Sequence, residues 1–295
     1  MIVKPTVSIC LPVYNGQKYL KDAIDSILAQ SYRDFELIIS DNCSTDKTQD
    51  ICREFASRDK RVRYFRQTEN IGIFPNVEYL IGKAEGIYFM LIGDDDIYDK
   101  NFISLLIPLF DKDDNIGIVY SDYGFISDTG LIKNSELKIF MKYTDTPFQN
   151  MLAFTKATIV LPMMMGLYKT YLLKTNIPFP KFGEMTGSVD VAFLYKIIPN
   201  IQVDSFSKPL FWYREKDRSN ATPEKWKKNR VYTLMRVMHL NQKIFFFFYV
   251  PSLLKTSRIS FFQKGILLFY ALGILIYNTW KLFDYYCINP IKKKF

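Results

Sequence analysis

Three consecutive aspartates end an apolar segment of this chain, and metal or phosphate binding is the chemistry that they suggest first. The apolar run covers residues 87–92, and Gly93-Asp94-Asp95-Asp96 follows it directly. A run of this length predicts a buried strand, and three carboxylates at its end are costly to desolvate unless a hard cation lies among them. Carboxylate oxygens suit Mg²⁺ or Mn²⁺, which commonly bridge protein carboxylates and substrate phosphates. The run therefore indicates a diphosphate site, with a polar turn in which Asp96 caps the next helix as the alternative.

The elements that must position these aspartates alternate between strands and helices. Apolar runs predict strands at residues 7–14, 35–40 and 62–65, ahead of the strand that ends in the aspartates. Helical spacing of apolar residues and capping residues predict helices between them. Such alternation predicts a parallel sheet with helices on both faces, in which ligands bind beyond the carboxyl ends of the strands. Asp41 lies at such an end, as the aspartate run does.

Four motifs follow one another within roughly the first 125 residues. They are Pro12-Val13-Tyr14-Asn15, then Ser40-Asp41-Asn42-Cys43-Ser44-Thr45-Asp46, then Asn70-Ile71-Gly72 with Asn76, and finally Gly93-Asp94-Asp95-Asp96. In order and spacing they resemble the motifs of the family 2 glycosyltransferases. The resemblance implies a GT-A fold, an α/β Rossmann-like mixed sheet flanked by helices. It also implies an enzyme that moves a sugar from a nucleoside diphosphate sugar, with a UDP-sugar as the expected donor.

The resemblance assigns donor-binding roles residue by residue. The residues so assigned are Pro12, Val13, Tyr14, Asn15, Asp41, Asn70, Gly72, Asp94, Asp96 and Arg214. Asp41 is expected to accept a hydrogen bond from the pyrimidine base, with a helix-capping aspartate as the alternative. The first three residues are expected to line the base and ribose pocket.

The same resemblance makes the aspartate run the DxD metal motif of the family. Asp95 is expected to bind Mg²⁺ or Mn²⁺ directly, with Asp96 as a second metal-site residue. Asp94 and Asp96 are expected to contact ribose, sugar hydroxyls or metal-bound water. Many family members have Asp where this chain has Gly93, so the assignment within the run can shift by one residue.

The catalytic base is expected to be Asp190, at the start of a helix predicted over residues 191–198. The family has an Asp or Glu at such a helix start, and Glu184 is the second candidate. A carboxylate there could also serve only to complement the helix dipole.

The only histidine is His239, so the sequence has no candidate residues for Ser-His or Cys-His catalysis. A positioned carboxylate can take the proton of an acceptor hydroxyl, and direct attack inverts the anomeric centre, as the resemblance also implies.

Two further segments have open interpretations. Arg214 ends a predicted strand and is interpreted as a diphosphate or acceptor-site cation, with a surface salt bridge as the alternative. The methionines at 163–165 are interpreted as core filler, with an adaptable wall of the acceptor pocket as the functional alternative.

The composition of the chain argues against several other classes of protein. The four cysteines show no CxxC spacing, which argues against a zinc site or a disulfide framework and favours a reducing cytosol. The N-terminus has no signal-peptide pattern. The formal net charge is +9, but the clearest basic clusters flank apolar helices rather than exposed aromatics, so nucleic acid is not the expected partner.

The C-terminal section is expected to lie on a membrane. Residues 265–280 are uncharged, and as a helix they would span about 24 Å, short of the roughly 30 Å hydrocarbon core. Lysines or arginines flank both ends, against the positive-inside tendency of a spanning helix. The expectation is peripheral binding to the anionic cytoplasmic face of the inner membrane, with a soluble helical cap as the alternative.

These observations combine into one hypothesis. Residues 1–125 are expected to form the nucleotide-sugar half of the GT-A domain, 126–220 the acceptor half, and 221–295 the membrane-associated region. The chain lacks the QxxRW motif of processive synthases, which favours transfer of a single sugar to a lipid-linked or growing surface glycan. A catalytically silent sugar-nucleotide-binding protein is the alternative, because it would not need Asp190.

Overall fold

The computed structural model describes residues 4–130, 132–133, 146–156, 161–179, 189–215 and 250–283. Expectations for Glu184, for His239 and for residues 284–295 therefore fall outside the described residues.

The described residues form nine strands and ten α-helices. The strands are β1 Val7–Val13, β2 Phe35–Asp41, β3 Val62–Arg66, β4 Tyr88–Leu91, β5 Ile97–Tyr98, β6 Ile116–Ile126, β7 Ile132–Lys133, β8 Leu167–Lys169 and β9 Gln202–Arg214. The helices are α1 Leu20–Leu28, α2 Thr48–Arg58, α3 Ile73–Lys83, α4 Phe102–Leu106, α5 Pro147–Lys156, α6 Leu161–Met164, α7 Thr170–Lys174, α8 Val189–Ile197, α9 Val250–Lys255 and α10 Phe261–Phe283. Short 3₁₀ turns cover Ile107–Lys112 and Ile198–Asn200.

The strands form one mixed sheet in the order β3-β2-β1-β4-β8-β6-β9-β5, with β7 paired to β6. β1 to β4 are parallel to one another, and β8 is antiparallel to both β4 and β6. This confirms the expected mixed α/β sheet flanked by helices. β6 crosses the expected boundary at residue 125, and β5 pairs with β9, so both expected halves share this sheet.

The sheet is buried on both faces, as its parallel part requires. Alternate residues of each central strand enter two apolar clusters. On one face Cys10 and Ile38 pack with α3, α5 and α8. On the other, Ile9 and Leu37 pack with α1 and α4. Burial of both faces fixes the register of the strands, and thereby the loops at their carboxyl ends.

The C-terminal helix α10 is longer than the sequence indicated. Its 23 residues extend about 34 Å at 1.5 Å per residue. Among the helices of the described ranges, none combines the length and the apolar character that a membrane crossing requires. The methionine segment begins in the short helix α6, and Met163 is buried in the core, in agreement with its interpretation as core filler.

Candidate active site

A cavity of about 750 Å³ opens at the carboxyl ends of β1 and β4. Its walls are formed by Pro12, Val13, Tyr14, Asn15, Gly16, Lys18, Tyr19, Asn42, Asn70, Ile73, Asn76, Asp94 and Asp128. All four motifs of the N-terminal half contribute to this wall. The structure thus brings together most residues that the sequence assigned to the donor, at the edge of the sheet where ligands of such folds bind.

The first loop of the cavity wall is held in place by the loop after β2. The backbone N–H of Asn15 donates to Ser44 Oγ at 2.9 Å, and the N–H of Thr45 donates to Asn15 Oδ1 at 2.8 Å. Asn15 has a left-handed backbone with φ of 54°, which asparagine tolerates better than most residues. These bonds fix the loop that follows β1 against the start of α2.

Gly16 brings the aspartate run against this loop. A Cβ atom at Gly16 would lie 2.5 Å from Asp94 Oδ2 and 2.6 Å from a methyl group of Val13. Only glycine permits this approach, so the Asp94 carboxylate lies directly beside the β1–α1 loop. Asp94 of the expected metal motif and the expected base and ribose pocket are therefore parts of one cavity.

Three asparagines form an amide wall. Asn42 Nδ2 donates to Asn70 Oδ1 at 2.9 Å, and Asn42 Oδ1 accepts from the Ile71 amide at 2.9 Å. Asn76 is buried, donates to the Ser40 carbonyl and accepts from Ser40 Oγ at 2.6 Å. The second and third motifs thus hold one another in place.

Asp41 lies behind the cavity wall rather than in it. Its side chain is fully buried. Oδ1 accepts from the Ser44 amide at 2.8 Å, while Oδ2 accepts from Tyr64 Oη at 2.8 Å and from Arg66 Nη1 at 2.7 Å. Burial, together with the hydrogen bond to Asp41, raises the pKa of Tyr64. Contact between Asp41 and a base stays a prediction, and the described contacts give Asp41 the role of anchoring the loop that follows β2.

The three aspartates have different surroundings. Asp94 lines the cavity, whereas Asp96 is buried and its Oδ1 accepts from the Arg214 amide at 3.0 Å. A Cβ at Gly93 would lie 3.2 Å from Asp95 Oδ1, so the run is tightly folded. No group of three or more metal-binding side chains occurs within the described ranges. One or two carboxylates completed by substrate phosphates are a usual donor set for Mg²⁺, and the run fits that kind of site.

Arg214 lies beneath the aspartate run and not in the cavity wall. Its side chain is buried, with Nε donating to the Asp95 carbonyl at 2.8 Å and Nη1 to the Ser127 carbonyl at 3.2 Å. The guanidinium lies 4.4 Å from the centre of the Tyr19 ring. The salt-bridge alternative is met in part, because Arg214 Nη2 lies 3.8 Å from Oδ2 of the exposed Asp22 while the guanidinium itself is buried. Direct diphosphate binding stays a prediction, and the contacts described give Arg214 a positioning role.

Three charged residues of the site were missed by sequence reasoning. Lys18 and Asp128 both line the cavity and form an ion pair of 2.6 Å, although 110 residues separate them in sequence. Arg66 reaches Asp41 because the parallel register of β2 and β3 sets the two residues opposite each other. Arg66 follows a predicted strand directly, whereas Lys18 and Asp128 carry no sequence signal. The pairings themselves depend on the three-dimensional structure.

The expected base belongs to helix α8. Asp190 is the second residue of Val189–Ile197, so it lies in the first turn, as expected. The contacts of its side chain fall outside the described residues, and its role stays a prediction.

A further carboxylate, Asp122, lies on β6. It is half-buried, and burial raises the pKa of this carboxyl group from 3.8 to about 6. Sequence reasoning did not single it out, since one aspartate inside a strand carries no motif.

Asp122→Asn is expected to stabilise the protein at neutral pH. A carboxyl group whose pKa is raised on folding favours the native state fully below about pH 4 and loses that contribution as the pH rises through about 6. The uncharged amide avoids the loss. We expect thermal scans to give a midpoint higher by about 2 °C at pH 7.5, with no gain at pH 4. An equal shift at both pH values would contradict the assignment.

Comparison with known proteins identifies the family of this chain. The family model described as glycosyl transferase family 2 matches residues 8–174, more than half of the chain. The chain belongs to this family.

An uncharacterized glycosyltransferase of Rickettsia typhi is 40% identical over 123 residues, which are 41% of this chain and 37% of the relative. The putative teichuronic acid biosynthesis glycosyltransferase TuaG of Bacillus subtilis is 36% identical over 98 residues, 33% of this chain and 39% of TuaG. The chain thus spans about two fifths of the length of these relatives.

Solved structures share the fold over more of the chain. The crystal structure of S. aureus TarS 1–349 in complex with UDP-GlcNAc has a TM-score of 0.66 at 21% identity, covering 92% of this chain and 72% of that one. The mannosyltransferase PcManGT from Pyrobaculum calidifontis, in complex with GDP-Man and Mn²⁺, has a TM-score of 0.60 at 17% identity, covering 93% and 70%. At these identities the likeness establishes the GT-A fold.

Proposed function

We propose that this protein is an inverting glycosyltransferase that moves one sugar from a UDP-sugar to a hydroxyl group of a lipid-linked or growing surface glycan. The observation that carries the proposal is the cavity, in which the expected base and ribose pocket and Asp94 meet across Gly16. A pocket of this size accommodates a nucleoside diphosphate sugar. UDP-GlcNAc bound to TarS, and the name of TuaG, support the donor class and a surface-glycan acceptor.

The carboxylates of the aspartate run are suitable ligands for a divalent cation. Asp95 and Asp96 would hold Mg²⁺ or Mn²⁺, and Mn²⁺ occurs with GDP-Man in PcManGT. When bound, the ion would offset the negative charge that grows on the leaving nucleoside diphosphate. The chain's own contribution is the rigid placement of the run through Arg214. Asp190 would accept the proton of the acceptor hydroxyl.

Donor binding tests the proposal. Calorimetric titration of UDP, GDP and their sugar conjugates, with and without Mn²⁺, is expected to give metal-dependent binding of the UDP series. Release of free sugar from the bound conjugate would separate an enzyme from a catalytically silent binding protein, which would bind without turnover. Absence of binding by every nucleotide would refute the proposal.

The membrane surface is the proposed second partner. The exposed apolar residues of α10 include three phenylalanines, Phe261, Phe262 and Phe269, with exposed fractions of 92%, 76% and 83%. Aromatic side chains favour the membrane interface, and the sequence has a formal net charge of +9, which suits anionic lipid. Peripheral attachment to the cytoplasmic face would bring the cavity to lipid-linked acceptors.

Replacing these three phenylalanines by serine is expected to abolish vesicle binding. The wild type should sediment with vesicles containing phosphatidylglycerol more than with neutral vesicles, and salt should weaken the preference because it screens charge. Ile87→Ser with Tyr171→Ser is the matched control, since both residues are exposed and lie outside α10. A wild type that ignores anionic vesicles would show that α10 serves another purpose.

A further inference from the structure

A half-exposed pair of side chains, Asp122 on β6 and Trp212 on β9, lies beyond the donor cavity. Gly124 pairs with Trp212 across the two strands. A Cβ atom at Gly124 would lie 2.8 Å from Cδ1 and 2.9 Å from Nε1 of Trp212. The edge of the indole therefore covers Gly124, and a side chain at position 124 would collide with it.

Asp122 occupies the neighbouring position on the same face of the sheet. β6 and β9 shift register on either side of Asp122. Tyr123 and Phe125 both pack in the core cluster on one face, so residues 122 and 124 lie on the other. The Tyr123 ring stacks on Phe211 within the core, with centroids 5.5 Å apart. The Asp122 carboxyl and the Trp212 indole thus share the face opposite to that aromatic stack.

The register of the strands sets this face at the level of the aspartate run. Met90 of β4 and Val119 of β6 both pair with Leu167 of β8. Asp122 comes three residues after Val119 on β6, and Gly93 comes two residues after the end of β4 at Leu91. Because β4 and β6 run in the same direction on either side of β8, the aspartate run and Asp122 lie toward the same edge of the sheet. On the other side Trp212 pairs with Ile97, the residue that follows Asp96. The pair is therefore next to the metal motif but outside the wall of the donor cavity.

Both side chains retain hydrogen-bonding capacity. Within the described ranges, neither the Asp122 carboxyl nor the Trp212 indole N–H forms a hydrogen bond to the protein. One offers an acceptor, the other a donor and a broad apolar ring. A pyranose presents the complement, with a rim of hydroxyl groups around a face of C–H groups.

We propose that Trp212 and Asp122 form the subsite for the acceptor sugar, with the ring stacked on the indole and its hydroxyl groups donating to the carboxylate. This inference rests on the proposed function and names the acceptor class as a glycoside. The location agrees with the expected chemistry. Ile118 and Tyr120, which precede Asp122 on β6, pack in the same cluster as Phe193 of α8, the helix that begins beside Asp190. Acceptor sugar and expected base thus belong to one side of the sheet.

The test measures glycoside and nucleotide binding separately. Saturation-transfer NMR with methyl glycosides of glucose, galactose, mannose and N-acetylglucosamine, at up to about 20 mM because millimolar affinity is expected, is run with UDP and Mn²⁺ present. At least one glycoside is expected to bind the wild type. Trp212→Ala should weaken that binding about tenfold, and Trp212→Phe should restore most of it because the stacking face is kept. Asp122→Asn should weaken it too, while Tyr171→Ala, an exposed control, should not.

UDP titration of the same variants distinguishes the possible failures. Unchanged UDP affinity in Trp212→Ala, together with lost glycoside binding, supports the subsite and is not explained by a fold defect. UDP binding without binding of any glycoside overturns the subsite and leaves the proposed function standing, as does a Trp212→Ala variant that binds glycosides like the wild type. A wild type that binds no UDP overturns the proposed function and this inference with it.

Discussion

Asp95→Asn is expected to reduce sugar transfer by about 10²-fold or more while the protein stays folded. A neutral amide is a poor ligand for a hard cation, and metal stabilisation of a leaving group contributes several kcal/mol to the rate. The measurement is transfer or donor hydrolysis from a UDP-sugar with Mn²⁺ present. Chelator should reproduce the loss in the wild type, and added Mg²⁺ or Mn²⁺ should reverse it.

Two neighbouring substitutions sharpen this result. Asp111→Asn removes an exposed carboxylate that belongs neither to the run nor to the cavity wall and should leave the rate unchanged. In Asp96→Asn the amide oxygen can still accept from the Arg214 N–H, so a loss there reports missing charge rather than missing positioning. Full wild-type activity in chelator would exclude metal-dependent transfer.

Asp190→Asn is expected to lower transfer by about 10²- to 10⁴-fold, the usual contribution of a general base. Donor binding should persist, because Asp190 lies in the first turn of α8 and is not among the described residues that line the cavity. The comparison is calorimetric UDP affinity against the transfer rate of the same sample. NMR of the product should show the anomeric configuration opposite to that of the donor.

Glu184→Gln is the matched companion to this variant. If it loses transfer while Asp190→Asn keeps a normal rate, the base has been assigned to the wrong carboxylate. A product with retained configuration would instead reject the direct displacement mechanism.

Much of the fold could be predicted because both faces of the sheet are buried. The strands at the start of the chain are apolar runs, and the structure has them at Val7–Val13, Phe35–Asp41 and Val62–Arg66, each within one residue of the expected bounds. The aspartate run and the motif asparagines follow such strands, so their convergence on one cavity also followed from the sequence. The positions of these strands and of the motif residues after them follow from the local pattern of apolar and polar residues.

The remaining features depend on register and distant pairing, which a single sequence does not encode locally. Whether Arg214 faces solvent or lies beneath Asp95 depends on the pairing of β5 with β9. The meeting of Gly124 with Trp212 likewise needs the register of β6 against β9. The full length of α10 was missed because Lys264, inside the helix, interrupts the uncharged run.

The bond from the Arg214 amide to Asp96 joins residues 118 positions apart, and this has a consequence during synthesis. Chains emerge N-terminus first, so the ribosome completes the aspartate run long before it completes β9. A nascent chain that ends at β8 carries all four donor motifs yet lacks the strand that fixes Asp95 and Asp96. The proposed nucleotide-sugar binding is therefore expected to appear only after residue 214 has left the exit tunnel.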